Sequence, residues 1–282
     1  TANSNPTAST DSPFDDPEGF KFGEEEDQNI IKTGVYTGNA TIGHKIELGW
    51  EPSFIMFKRA TSGTASWEMV DVMRGNPAND GTTQNARFVR ANTTNSEFDN
   101  RPFSPYPTGF NIRNSGGGSN ASGSNYVYMA IRRPDSLVAK PPEAGTDAFN
   151  VVLGAGNYVI PEFAANFAVD VGIVRQFANT QNFYVASRLT GTNYYQTNNT
   201  AAEASAATFV FDSNAGWNSN SNNTNISWMW KRGTGFDVST YTGNGSGAGR
   251  QIRHSLNKVP EMMWLFKTSG GDREVYHKGL NG

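Results

Sequence analysis

The tetrapeptide Tyr-Thr-Gly-Asn at residues 36–39 recurs at residues 241–244, and both copies lead into the same series of features. A glycine-containing turn and a histidine come first, and a proline and a continuous apolar run that closes with lysine follow. The apolar runs are Phe-Ile-Met-Phe at residues 54–57 and Met-Met-Trp-Leu-Phe at residues 262–266. The shared order of these features indicates an internal repeat.

A less regular copy lies between these two. Residues 169–175, Val-Asp-Val-Gly-Ile-Val-Arg, take the place of the first apolar run. Nearer the end of each unit, residues 125–133 are echoed by residues 225–232, and both stretches end in a pair of basic residues. The matched stretches keep their order while the loops between them shorten, so we expect the units to share one strand order.

These matches divide the chain into an acidic linker, a first β unit, a connector, a second β unit and the start of a truncated third unit. The linker is set apart by charge, because it holds eight acidic residues against two lysines, whereas the rest of the chain is net positive. The predicted bounds, in chain order, are residues 1–32, 33–134, 135–145, 146–232 and 236–282.

The composition favours strands over helices. The 282-residue chain has 30 glycines and 12% aromatic residues, and its apolar runs are short and bounded by Gly, Asn and Pro. The sequence predicts an all-β fold of tandem β-sandwich-like repeats, of the jelly-roll or concanavalin-like kind, behind an extended acidic N-terminal linker. A short helix is predicted only at residues 200–207. The run at residues 54–57 does not alternate with polar residues, so we expect both faces of that strand to be covered.

Several classes of function are disfavoured. The chain lacks cysteine, and His44 and His254 have no second ligand at metal spacing, so we predict no metal, no cofactor and a structural role for both histidines. An isoelectric point near 5.7 without an extended basic face argues against nucleic acid. No apolar stretch approaches the roughly 18 residues of a membrane span, so we predict no membrane insertion.

An enzymatic function is also disfavoured. Asp71, Glu97 and Asp170 are the best-placed carboxylates for a glycosidase, but Asp71 aligns with Ser187 in the second unit. Glu97 follows Asn-Thr-Thr, a context typical of a loop or a helix cap. We therefore predict no catalytic residues and no enzyme.

Aromatic residues alternate along the last strand of each complete unit. Tyr126 and Tyr128 share one face, and we expect Trp228 and Trp230 to share the corresponding face of the second unit. One interpretation is packing in the core. The other is an aromatic platform that binds sugar rings.

Arg133 and Arg232 are the final residues of the basic pairs that close these two strands. Such a pair usually forms a solvated strand end that discourages pairing with another chain. The alternative is a contact with an anion or an acidic glycan.

Met262, Trp264 and Phe266 lie in the apolar run of the truncated third unit. Half-exposed side chains of this size cost several kcal/mol at about 25 cal/mol per Å². We therefore expect these three residues to be assembly contacts, protected by further chain or by an adjacent copy in a homo-oligomer.

The series Tyr-Thr-Gly-Asn, Gly-x-x-x-x-Ile, His, Pro, apolar strand and Lys, with a later Trp and Asn-Thr-Thr, resembles a repeated domain of unknown function. That domain occurs in tail-fibre and other virion structural proteins of marine phages, cyanophages among them. The third copy is nearest to the family pattern, which continues into Tyr-His as at residues 276–277. The resemblance implies a location on the virion and supplies no catalytic residues.

The expected function is therefore that of a phage virion structural protein. It would be a tail-fibre, spike or capsid-associated surface component that acts by assembly, with copies of itself and other virion proteins as partners. The alternative is a carbohydrate-binding receptor-recognition module of a phage fibre or a bacterial adhesin, with host surface glycans as ligands.

Overall fold

A computed structural model describes residues 30–61, 65–74, 87–99, 103–135, 142–156, 161–219, 224–245 and 249–280. These residues form nineteen strands and a single 3-10 turn at Gly145–Asp147. The fold is all-β, with several antiparallel sheets in a β-sandwich-like architecture, as the sequence predicts. Most of the acidic linker (1–29) and of the connector (136–141) lies outside the described residues.

The first unit has two antiparallel sheets. Six strands pair in the order β1-β9-β3-β4-β5-β6, and the other three pair in the order β2-β8-β7. Aromatic side chains from both sheets meet in one core, where Phe57, Phe103 and Phe110 are almost fully buried. The strands are β1 (Ile31–Thr37), β2 (His44–Glu47), β3 (Pro52–Arg59), β4 (Glu68–Asp71), β5 (Arg87–Arg90), β6 (Phe98–Asp99), β7 (Phe103–Tyr106), β8 (Gly109–Ile112) and β9 (Asn125–Arg132).

The second unit repeats this arrangement. Its six-stranded sheet has the order β10-β17-β12-β13-β14-β15, which matches the first sheet position by position, and β11 pairs with β16 in a small second sheet. The predicted shared strand order is thereby confirmed. The strands are β10 (Phe149–Leu153), β11 (Phe163–Ala164), β12 (Val171–Gln176), β13 (Tyr184–Ser187), β14 (Asn193–Gln196), β15 (Ala204–Ser205), β16 (Gly216–Trp217) and β17 (Asn225–Trp230).

We call residues 236–280 the third segment. Its described residues contain one hairpin, of β18 (Met262–Leu265) and β19 (Glu274–His277). By its place in the repeat, this hairpin corresponds to β3 and β4 in the first unit and to β12 and β13 in the second.

The helix predicted at residues 200–207 does not form. Residues 204–205 are strand β15 instead, paired with β14 at the edge of the second sheet. Cross-strand pairing with β14 therefore outweighs the helix propensity of the alanines in this stretch.

A local hydrogen bond is repeated in the two complete units. The backbone N–H of Trp67 donates to Asn92 Oδ1 at 3.0 Å, and the N–H of Phe183 donates to Asn198 Oδ1 at 3.2 Å. Each aromatic residue directly precedes an equivalent strand, β4 or β13. Asn92 and Asn198 therefore fix the entry into the same strand of each unit.

The last strands of the two units are β9 and β17. Their structural alignment differs by one residue from the alignment that the sequence predicts. Lys58 on β3 lies opposite Val127, whereas Arg175, its counterpart on β12, lies opposite Ile226. Val127 therefore corresponds to Ile226. A shift of one residue moves every side chain of a strand to the opposite face of the sheet.

This shift separates the aromatic pairs that the sequence places on corresponding faces. Tyr126 and Tyr128 point into the core of the first unit and are buried. Trp228 and Trp230 lie on the outer face of the second sheet and are half-buried. Each pair shares a face as predicted, but the prediction that the two faces correspond is wrong, because Tyr126 and Tyr128 are equivalent to Asn225 and Ser227.

The second core compensates for a missing side chain. Gly172 on β12 occupies the place of Ile55 on β3, and the ring of Trp217 fills the space above it. Trp217 is fully buried, and its indole N–H donates to Ser227 Oγ at 3.0 Å. A Cβ added to Gly172 would lie only 2.2 Å from the Trp217 ring.

We therefore expect Gly172→Ala to destabilise the protein by about 1–3 kcal/mol, the usual cost of overpacking a filled core. Gly145→Ala is the matched control, because no atom lies within 4 Å of the added Cβ, and its effect should stay within about 0.5 kcal/mol. Urea unfolding midpoints measure both effects. Equal midpoints for the two variants would contradict the packing described for Trp217.

Candidate functional site

Four buried charged side chains meet where the two units join the third segment. Glu51 precedes β3, Arg133 follows β9, Arg232 lies two residues beyond β17, and Asp237 belongs to the third segment. Each side chain is at most 8% exposed. We call these four residues the junction cluster.

Arg232 is the centre of the junction cluster. Its Nη1 and Nη2 donate to the two carboxylate oxygens of Glu51, both at 2.7 Å, and its Nε donates to Asp237 Oδ1 at 2.8 Å. The two parallel bonds to Glu51 are the strongest geometry for an arginine–carboxylate pair. One guanidinium group thus joins the first unit, the second unit and the third segment.

Arg133 completes the arrangement from the first unit. Its Nε lies 3.5 Å from Glu51 Oε1, and its Nη2 lies 3.4 Å from Asp237 Oδ1 and donates to Ser255 Oγ at 3.0 Å. The Ser255 N–H donates in turn to Asp237 Oδ2 at 2.7 Å. Two arginines therefore share two carboxylates, and the formal charges of the junction cluster balance.

Burial and mutual charge shift the pKa values in this cluster. Burial, and then the neighbouring Arg232, lower the pKa of Arg133. Burial alone would also lower the pKa of Arg232, but the charge and hydrogen bonds of Glu51 raise it above its ordinary value. Burial opposes ionisation of Asp237, yet Arg232 and Arg133 hold its pKa below the usual range. Arg232 and Asp237 are therefore charged at neutral pH.

A third arginine, Arg188, extends the contact between the units. The backbone N–H of Arg232 donates to Asp170 Oδ2 at 2.7 Å, and Arg188 Nε lies 3.6 Å from Asp170 Oδ1. Nη1 of Arg188 donates to the backbone oxygen of Phe211 in its own unit and, at 3.4 Å, to that of Val72 in the first unit. The ends of both six-stranded sheets are thus tied by charged hydrogen bonds.

Both interpretations that the sequence suggested for Arg133 and Arg232 are wrong. Arg133 and Arg232 are neither solvated strand ends nor available to an acidic glycan, because both guanidinium groups are buried among carboxylates. When Val127 is aligned with Ile226, Arg133 and Arg232 occupy equivalent positions in the two units. That equivalence was the one sign in the repeat that the two arginines share a role. Their shared partner Glu51 could not be inferred, because it is distant in sequence.

The two tyrosines proposed as sugar platforms are core residues. Tyr126 stacks on Tyr36 with ring centroids 4.9 Å apart. Its hydroxyl accepts a hydrogen bond from the Ala121 N–H at 2.8 Å and donates one to the Gly117 oxygen at 3.1 Å. Burial leaves neither Tyr126 nor Tyr128 a ring face for a sugar, so the ligand-binding prediction is wrong for both.

The tryptophans differ from the tyrosines in facing the outside of their sheet. Trp230 stacks on Phe236 of the third segment, with ring centroids 5.9 Å apart. Trp228 lines a shallow groove with a volume of about 360 Å³. The other residues that line this groove are Ile173, Phe183, Thr197, Asn198 and Trp264.

The third segment lies against this outer face. Phe266 contacts Tyr195 with ring centroids 5.3 Å apart, and the guanidinium of Arg273 sits near both rings. Met262 and Trp264 nevertheless stay 55% and 44% exposed. Protection of Met262, Trp264 and Phe266 by an assembly therefore stays a prediction.

His44 lies in a structural setting. Its Nδ1 is 3.4 Å from Asn120 Oδ1, and its ring meets Tyr36 edge-on. Within the part of the chain that the structure describes, no group of three or more His, Asp or Glu side chains is placed to hold a metal ion. The described residues also contain no helix long and apolar enough to cross a bilayer.

Residues 22–134 match the family profile of a domain of unknown function (DUF7483). The match covers the whole first unit and not the second. No curated protein and no solved structure matches the chain. The first unit is therefore similar to a family with no described activity, and the second unit is related to the first by strand order.

We expect Arg232→Ala to destabilise the protein by about 3–5 kcal/mol, because it leaves the Glu51 and Asp237 carboxylates buried without their main partner. Arg74→Ala is the matched control. Arg74 is 38% exposed and pairs with Asp71 at 2.7 Å, and its removal should cost about 1 kcal/mol or less.

Urea unfolding of both variants gives the comparison. The double variant Glu51→Leu with Arg232→Met should recover much of the loss, since it removes the uncompensated Glu51 charge together with its partner. An Arg232→Ala midpoint equal to that of Arg74→Ala would contradict the energetic role given to the junction cluster.

Proposed function

We propose that the protein is a non-catalytic structural component of a phage virion, such as a tail fibre, a spike or a capsid-associated surface protein. The observation that carries the proposal is the junction cluster, in which Arg232 of the second unit is held by Glu51 of the first. The virion location rests on the family resemblance of the Tyr-Thr-Gly-Asn repeat.

The junction cluster supports a rigid connection rather than a flexible one. Units joined only by a linker are free to reorient relative to each other. A buried bidentate pair fixes both the distance and the angle between its partners, and its rupture would leave charges in a dry interior. A tandem array fixed in this way is suited to a spacer or a surface layer that must hold its shape.

Exposed apolar side chains support assembly with further copies or with other virion proteins. Ile31 and Val35 on β1 are 59% and 64% exposed on the outer face of the first sheet. That face also carries Met56 and Met129, which lie opposite each other on β3 and β9. A contiguous apolar surface of this kind is typical of a protein interface.

Immunogold electron microscopy tests the location. Antibodies raised against residues 30–280 should label intact particles of the source phage at a repeated position on the fibre, spike or capsid surface. Antibodies depleted by preincubation with the protein are the control. Label that is absent from intact and disrupted particles, with the protein found only in infected-cell lysate, would contradict the proposal.

The groove beside Trp228 favours carbohydrate recognition as the second candidate function. Aromatic rings bind the apolar faces of sugars, and Phe183, Trp228 and Trp264 all line this groove. The ligand would be a host surface glycan, and the protein would be a receptor-recognition module.

Retention on immobilised host polysaccharide separates the two candidates. The structural proposal predicts no retention of the wild-type chain. Retention that is lost in Trp228→Ala and kept in Trp67→Ala would favour the carbohydrate-binding module instead. Trp67 is the matched control, because it is a partly exposed tryptophan in the first unit, far along the sequence from the groove.

A further inference from the structure

The outer face of the second sheet carries an arginine, Arg175, that has no acidic partner among the described residues. Arg188 and Arg232, the other two arginines of the second unit, are bound to carboxylates and backbone oxygens. Arg175 forms no hydrogen bond or ion pair with a described residue, and its Nε is buried without an acceptor. A guanidinium group left in this way has unused capacity to bind an anion.

The neighbours of Arg175 on this face are apolar. Its guanidinium carbon lies 4.7 Å from the centre of the Phe183 ring. Ile226 lies opposite Arg175 on β17, and Leu153 lies opposite Ile226 on β10. Phe183 also contacts Trp228, with ring centroids 6.1 Å apart, and both rings line the groove. The unpaired cation therefore stands at the border of the aromatic groove.

A cation packed on an aromatic ring recurs at the same position of each repeat. In the first unit, Lys58 Nζ lies 5.7 Å from the centre of the Trp67 ring. In the third segment, the register of the hairpin places Phe266 at the position of Lys58. Arg273 falls at the position of Trp67, and its guanidinium carbon lies 5.4 Å from the centre of the Phe266 ring. The pair is thus kept while the cation and the ring exchange strands.

The two guanidinium groups in these repeated pairs differ in their acceptors. Arg273 Nε donates to the Gln196 oxygen at 3.0 Å, and its Nη2 donates to the Ala201 oxygen at 2.6 Å. No described oxygen takes either role for Arg175. Packing on the ring therefore does not require open donors, and the open donors lie beside the groove.

We propose that the groove beside Trp228, together with Arg175, binds an acidic polysaccharide built of uronic acids. The sugar rings lie on Trp228 and Phe183, and a carboxylate of the sugar accepts hydrogen bonds from the guanidinium group. A small hydrated anion would leave the aromatic rings uncovered, and a neutral sugar would leave the guanidinium group without an acceptor.

The inference names the ligand class of the second candidate function and rests on that candidate. Arg175 takes no part in the junction cluster, so the argument for a rigid connection between the units is unchanged.

Tetragalacturonic acid and its fully methyl-esterified form are the probes. Esterification removes the negative charges and keeps the sugar rings. Isothermal titration calorimetry with the 282-residue chain should show that the acid binds at least about tenfold more tightly than the ester, because only the acid forms charged hydrogen bonds to Arg175. Trp228→Ala should weaken the binding of both probes, since both stack on the ring.

Arg175→Met tests the assignment of the charge. The change removes the guanidinium group and keeps an apolar side chain over Phe183. The variant should bind the acid no better than the ester, and its affinity for the ester should stay within about threefold of wild type, which also shows that it is folded. Lys58→Met is the matched control, because it removes the equivalent cation in the first unit, and it should keep the preference for the acid.

Three results would overturn the proposal. Equal affinity of the wild type for the acid and the ester would leave a site for neutral sugars and remove the acidic ligand. A preference for the acid that persists in Arg175→Met would place the selecting charge elsewhere. Absence of binding to either probe would reject the acidic ligand, whereas the carbohydrate-binding candidate itself is decided separately by retention on host polysaccharide.

Discussion

The paired hydrogen bonds between Arg232 and Glu51 are the interaction on which the arrangement of the units depends. Glu51 directly precedes β3 and Arg232 lies two residues beyond β17, so the ion pair positions whole sheets rather than mobile side chains. Asp237 brings the third segment to the same guanidinium group. Charges this deeply buried are tolerated only when they are paired with opposite charges, and the cluster therefore favours a single relative orientation.

Within each unit, the strand order is kept while the packing changes. The first unit fills the middle of β3 with Ile55, and the second places Gly172 there and fills the space with Trp217. The cation above the equivalent aromatic ring also changes, from Lys58 over Trp67 to Arg175 over Phe183. Conserved volume and contact type, rather than residue identity, therefore maintain the repeated fold.

Much of the fold could be predicted from local sequence signals. Short apolar runs bounded by Gly, Asn and Pro indicated the strands, and the recurrence of residues 36–39 indicated the repeat. The register of β17 was missed by one residue, because Trp228 and Trp230 resemble tyrosines that face the other way. The junction cluster was missed because its pairs join residues far apart in sequence, and basic residues at a strand end usually face solvent.

Differential scanning calorimetry of the whole chain tests the central claim that the junction cluster couples the units. We expect one transition for the wild type, with a calorimetric enthalpy equal to the van't Hoff enthalpy. Arg232→Met removes the central charge of the junction cluster and should divide the single unfolding transition into two transitions of lower enthalpy. Two separate transitions in the wild type, unchanged by Arg232→Met, would show that the units unfold independently and that the junction cluster does not couple them.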